Sequence, residues 1–226
     1  MTAATDRAAW TVVVPVKAPG RAKTRLAPHV PPAAREALAE AFAADAIDAA
    51  LAADRVERVV VVGSGDAGDA GRAGPELDGP DRRARLEFVR EGEPRGLTAA
   101  IALGIEHARA TGAGDLAVLL GDVPSLRPGD LDDALDRAAR HPLAFVPDAD
   151  GTGTTLATAL AGTAFAPRFG PDSAAEHERA GFVRLEASAR LRRDVDTLAA
   201  LEEAIGLGTG THTAHVVAAL ADGTIG

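Results

Sequence analysis

The chain has 226 residues, 46 % apolar and 25 % charged, which suits one α/β domain (residues 1–226) with a full core. It has no cysteine, which excludes disulfides, thiolate metal sites and a cysteine nucleophile. A formal charge of −9 argues against a nucleic-acid partner, and neither a signal peptide nor the roughly 20 apolar residues of a membrane span is found, so a cytoplasmic chain with no membrane contact is expected.

Short β-branched runs alternate with alanine-rich helical stretches, the pattern of βαβ units around a mostly parallel sheet. Trp10–Val16 reads as the first strand, and a helix is expected from about Pro32 to Ala52, with Leu38, Phe42 and Ala46 on one face. Arg58–Val62 reads as a strand buried on both sides, and Ser64–Arg83 as a surface loop. A strand at Leu86–Arg90, a helix from Leu97 to Ala110 and a strand at Leu116–Leu120 follow, then a helix at Leu131–Ala139 and a strand at Leu143–Val146. After Asp150 the rhythm breaks. Gly151–Thr155 leads into a strand at Leu156–Leu160, then a polar loop and a helix through Arg179, with last helices near Thr197–Ile205 and Thr213–Ala221. These elements predict a single doubly wound α/β domain with an elaborated second half.

Five segments carry chemistry. The loop after the first strand holds Lys17, Arg21, Lys23 and Arg25, four cations in nine residues, at the carboxyl end of the sheet where open α/β sheets bind ligands. Such a loop is either solvated or neutralised by an anion such as a triphosphate; it is not a P-loop, because no G-x-x-x-x-G-K-[ST] occurs. Asp122, in Gly121-Asp122-Val123-Pro124, ends a wholly apolar strand, and reads as a Mg²⁺ ligand or as a turn or cap residue. In Asp194-Val195-Asp196-Thr197 the two carboxylates are two residues apart and face the same way if the segment is extended; otherwise Asp196 caps the next helix. Gly151–Thr155 and Arg168-Phe169-Gly170-Pro171-Asp172-Ser173 combine glycines with hydroxyls, which suits either a small anion or ordinary turns. The six histidines show no metal-ligand spacing, His212 and His215 read as a solvated face, and Gly206, Gly208 and Gly210 as a linker between helices.

Together, from Val14 to about Leu201, these segments resemble the phosphoenolpyruvate or 2-phospho-L-lactate guanylyltransferases of coenzyme F420 biosynthesis. The likeness rests on Val16-Lys17 with Lys23-Thr24-Arg25-Leu26-Ala27-Pro28, Gly121–Pro124, Gly151–Thr154, Arg168–Ser173 and Asp194–Thr197, in that order. It implies a Rossmann-like nucleotidyltransferase fold, Mg²⁺ on Asp122, Asp194 and Asp196, and phosphoenolpyruvate contacts from Thr154, Gly170 and Ser173. Lys17, Lys23 and Arg25 are expected to serve GTP and catalysis, with Gly96 and Thr98 near the nucleotide, although Gly96-Leu97-Thr98 stands where the family shows Gly-Leu-Asn. The expected partners are GTP and phosphoenolpyruvate, and a transient contact with the next enzyme of the F420 pathway is compatible with this reading; oligomeric state stays open. The GC-rich coding bias of the composition favours phosphoenolpyruvate over 2-phospho-L-lactate or 3-phosphoglycerate. Another Mg²⁺-dependent nucleotidyltransferase, a D-x-D glycosyltransferase and a non-catalytic nucleotide-binding protein are the rival readings.

Overall fold

The computed structural model describes residues 10–16, 30–63, 83–93 and 95–225. In chain order the elements are β1 (Trp10–Pro15), α1 (Pro32–Ala52), β2 (Val56–Gly63), β3 (Leu86–Arg90), α2 (Leu97–Ala110), β4 (Asp115–Leu119), α3 (Pro128–Ala138), β5 (Leu143–Pro147), β6 (Thr154–Ala159), α4 (Ser173–Arg179), β7 (Val183–Arg184), α5 (Ala189–Arg192), α6 (Leu198–Leu207) and α7 (Thr211–Ala221). The strands form one seven-stranded sheet in the order β3-β2-β1-β4-β6-β5-β7.

The valine runs place this sheet in the middle of the molecule. Successive side chains on a strand point to opposite faces, and β1 feeds Val12 and Val14 into one core and Val13 into another. The first core is completed by α1 and α3 through Ala46, Ile47, Ala50, Leu131 and Leu135, and the second by α2 through Ala100, Ile101 and Ile105. Helices on both faces explain why β1 is buried along its whole length. Helix α1 is itself covered on a second side, where Ala34, Leu38 and Phe42 pack with Val195, Leu201 and Ala204.

Six strands run one way and β6 runs against them: β1 pairs in parallel with β2 and β4, and β2 with β3, whereas β6 is antiparallel to both β4 and β5. The reason lies in the short connection from β5. Asp148 turns the chain back on itself, its carboxylate accepting the backbone N–H groups of Thr152 and Gly153 at 3.0 and 2.8 Å. Six residues close a hairpin but cannot make the crossover that a parallel partner needs. A Cβ at Gly153 would stand 2.3 Å from the Asp148 carboxylate, so a side chain there would displace the group that closes the turn. The consequence for the site is direct: the first residue of β6, Thr154, lies at the same sheet edge as the carboxyl ends of β1, β4 and β5.

The expected elements are present within a few residues of their bounds, and the differences have local causes. The two-residue strand β7 and the one-turn helix α5 are too short for periodicity to register. Helix α6 continues to Leu207, so Gly206 is helical, and Gly208, with φ +86°, begins the link to α7. The expected solvated face at His212 and His215 holds for His215, which is exposed, whereas His212 is half-buried: its imidazole meets the Asp48 carboxylate at 3.1 Å, and buried Asp45 accepts the N–H groups of His212 and Thr213 at the start of α7. Most of the expected loop at 64–83 lies outside the described residues. Among the described residues, no helix is long and apolar enough to cross a membrane.

Candidate active site

The basic residues Lys17, Lys23 and Arg25 lie outside the described residues. The strand leading to them is held to the end: the Val16 N–H donates to the Val62 carbonyl at 2.8 Å, which extends the β1–β2 pairing up to the loop. Gly96 and Thr98 open helix α2 at the same edge. Gly96, at φ +98°, is its N-cap, and its carbonyl accepts from the N–H groups of Ala99 and Ala100, both at 3.1 Å.

Asp122 follows β4, and a single backbone bond ties it to the D-x-D segment: the Val195 N–H donates to the Asp122 carbonyl at 2.9 Å. Val195 is fully buried between α1 and α6, which leaves Asp194 and Asp196 on either side of it, both half-buried. The capping alternative for Asp196 is answered by its neighbour. Thr197 is the N-cap of α6, and its hydroxyl accepts the Ala200 N–H at 3.2 Å. Asp122 is likewise no helix cap, since α3 begins at Pro128 with Arg127 as its N-cap. Each of the three aspartates is engaged in an interaction within the protein. Among the described residues, no three acidic or imidazole side chains are arranged as a ready-made cation cage. A set of carboxylate oxygens is nonetheless the donor chemistry that Mg²⁺ takes, commonly as one or two carboxylates completed by substrate phosphates.

The hydroxyl-bearing loops converge on a side chain the sequence reading passed over. Thr154 and Ser173 are both buried, and the Ser173 hydroxyl donates to the Thr154 hydroxyl oxygen at 3.1 Å. Behind them stands His177, fully buried and ringed by Phe145, Phe169 and Phe182 at centroid distances of 5.2, 5.4 and 4.8 Å. The Arg168 N–H donates to its Nε2 at 2.9 Å, while its Nδ1 lies 2.8 Å from the Ser173 carbonyl and 3.1 Å from Thr154 Oγ1. Burial pushes the imidazole down from its ordinary 6.5 to about 4; the Ser173 carbonyl opposes that shift and the nearby Arg168 charge adds to it. The histidine therefore ties the 168–173 loop and α4 to the start of β6. A histidine four residues after Ser173, on the same face of the helix, was the available signal; without its partners it read as one of six scattered residues. Gly170 is exposed at φ +139°, a conformation open to glycine and strained for other residues.

An open cavity of about 430 Å³ lies beside Ala149, Arg192, Arg193 and Glu203. None of the expected site residues lines it. Its arginines are already engaged, Arg192 with the carbonyls of Pro147, Asp148 and Ala149, and Arg193 with Glu203 at 2.8 Å.

The chain is similar to known proteins over nearly its whole length. A phosphoenolpyruvate guanylyltransferase of Sanguibacter keddieii is 41 % identical, the alignment covering 92 % of this chain and 84 % of that protein. One from Streptomyces coelicolor is 45 % identical, covering 93 % and 97 %. In fold the chain resembles a nucleotidyl transferase from Methanothermobacter thermautotrophicus, with a TM-score of 0.53 at 17 % identity over 88 % of this chain and 97 % of that one. The family of guanylyl transferases described as CofC-like matches residues 10–221, and the chain belongs to that family.

Proposed function

We propose that the protein transfers GMP from GTP to phosphoenolpyruvate, yielding enolpyruvoyl-diphosphoguanosine and pyrophosphate, as a cytoplasmic step of coenzyme F420 biosynthesis. The observation that carries this reading is the identity of 41 % and 45 % to two phosphoenolpyruvate guanylyltransferases across nearly the whole chain. Residues 1–226 act as one nucleotidyltransferase domain, with the nucleotide and the acid meeting at the carboxyl edge of the sheet.

In the reaction, a phosphate oxygen of phosphoenolpyruvate attacks the α-phosphorus of GTP. The new P–O bond forms as the bond from the α-phosphorus to the α,β-bridging oxygen breaks, and pyrophosphate leaves with that oxygen. A phosphate monoester has its second pKa at about 6, so the nucleophile is already ionised near neutral pH and needs no general base. What the protein supplies is position and charge. Lys17, Lys23 and Arg25 offset the triphosphate and the departing pyrophosphate, with Gly96 and Thr98 beside the nucleotide. Thr154, Gly170 and Ser173 hold the acid: the Thr154 hydroxyl offers a hydrogen bond, Ser173 supports it from behind, and Gly170 lets the backbone approach closely. Asp122, Asp194 and Asp196 are the residues that would hold Mg²⁺, and the backbone bond between Asp122 and Val195 supports grouping them. When bound there, the cation neutralises charge between the two anionic substrates.

Mass spectrometry of reactions with Mg²⁺, GTP and one acid at a time tests the acceptor. The expected result is enolpyruvoyl-diphosphoguanosine from phosphoenolpyruvate at a rate well above that from 2-phospho-L-lactate or 3-phosphoglycerate. Faster turnover of either other acid would overturn the assignment.

A further inference from the structure

We propose that His177 is a positioning residue of the acceptor pocket, holding its loop in place and directing the Thr154 hydroxyl proton toward the bound acid. The inference rests on reading Thr154, Gly170 and Ser173 as that pocket and goes beyond it by assigning every proton behind it.

The assignment follows from one donor. A backbone N–H can only donate, so the 2.9 Å contact from Arg168 N–H obliges His177 Nε2 to be an unprotonated acceptor. A fully buried imidazole among three phenylalanines is neutral. Its single proton is therefore on Nδ1, where it meets the Ser173 carbonyl at 2.8 Å and Thr154 Oγ1 at 3.1 Å. Thr154 cannot donate to a protonated Nδ1, so its oxygen faces the histidine as an acceptor. The Ser173 hydroxyl donates to the same oxygen. Both approaches load Thr154 Oγ1 from behind, and the proton of Thr154 itself has no acceptor in the cluster. It points to where an anionic oxygen of the acid would sit. The Arg168 contact also fixes the loop that carries Gly170, so one neutral ring sets both walls of the pocket.

Two isosteric halves of the imidazole separate the roles. His177→Gln keeps an acceptor for the Arg168 N–H but loses the donor at the Nδ1 position. His177→Asn keeps a donor there and loses the acceptor. If His177 directs the Thr154 proton, His177→Gln raises the KM for phosphoenolpyruvate about tenfold or more, the scale of one hydrogen bond to a charged group. The KM for GTP stays within about twofold, and His177→Asn recovers part of the loss. Equal shifts in both KM values, or no difference between the variants, would reduce His177 to a core residue. Long-range ¹H–¹⁵N spectra of the wild-type imidazoles give a readout that needs no variant to fold: His177 should be the neutral Nδ1–H tautomer at pH 7, and an Nε2–H or charged ring overturns the proposal. Thr154→Val and Ser173→Ala serve as the separate check on the pocket itself. If they leave phosphoenolpyruvate binding unchanged, the pocket reading fails; if they weaken it and folded His177 variants do not, the fault lies with the histidine.

Discussion

At the scale of single residues, the buried imidazole also makes stability depend on pH in a defined window. His177 takes up a proton at about pH 6.5 when unfolded but only at about pH 4 in the folded protein. Between those values the unfolded chain binds more protons, so stability is full above pH 6.5 and falls as the pH drops toward 4. The shift corresponds to about 3 kcal/mol at the bottom of the window, an order-of-magnitude figure. Arg168 is the charged neighbour that resists protonation alongside burial. Denaturant titrations at pH 7, 5.5 and 4.5 should show wild type losing stability across the series more steeply than His177→Gln, which has no group to titrate there. Parallel pH profiles would mean that the imidazole is already accessible to protons in the folded state.

At the scale of elements, α2 packs tightly against the sheet. A Cβ at Gly104 would stand 2.4 Å from Val13 Cγ1 and 2.7 Å from Val62 Cγ2, two fully buried side chains on neighbouring strands. The absence of a side chain at Gly104 lets α2 settle onto β1 and β2, and this helix begins at Gly96 beside the proposed nucleotide site. Gly104→Ala gains up to about 1 kcal/mol of helix propensity and is expected to lose about 1–3 kcal/mol to overpacking. The second effect wins because β-branched valines have little rotamer freedom with which to move away. Thermal unfolding should show a Tm lowered by about 2–4 °C for each kcal/mol of net loss. An unchanged or raised Tm would show that α2 can lift from the sheet at little expense.

At the scale of the whole molecule, the site is assembled from segments far apart in the chain. The 194–196 segment reaches Asp122 through the Val195 N–H, and α7 reaches the same stretch through the Gly210 N–H to the Pro124 carbonyl at 2.8 Å. Ser125, buried between them, donates to the Ala204 carbonyl of α6 at 2.9 Å. The loop after β4 is thus held by hydrogen bonds that do not involve the Asp122 carboxylate. Asp122→Asn should therefore cut pyrophosphate release by about 100-fold or more, the scale of losing one electrostatic stabiliser of a developing charge, while leaving Tm nearly unchanged. A variant with near wild-type turnover would return Asp122 to the role of a turn residue.

The valine runs at Val12–Val14 and Val59–Val62, the apolar strand before Gly121 and the long apolar helix from Pro32 were legible because burial on two faces demands residues that are apolar without alternation. The motif residues were legible as types: carboxylates, small hydroxyls and glycines at loop positions. Partnership was not. The direction of β6 depends on the Asp148 turn and on insertion between β4 and β5, and no local pattern encodes which strand a strand will join. Thr197 rather than Asp196 caps α6, a choice between adjacent residues that backbone geometry makes. The partners of His177 lie on Arg168, Ser173 and Thr154, up to 23 residues away, so its tautomer exists only once three segments have packed. Composition and periodicity set which residues leave water; the directions and donors that turn them into a site come from hydrogen bonds that only the folded chain can form.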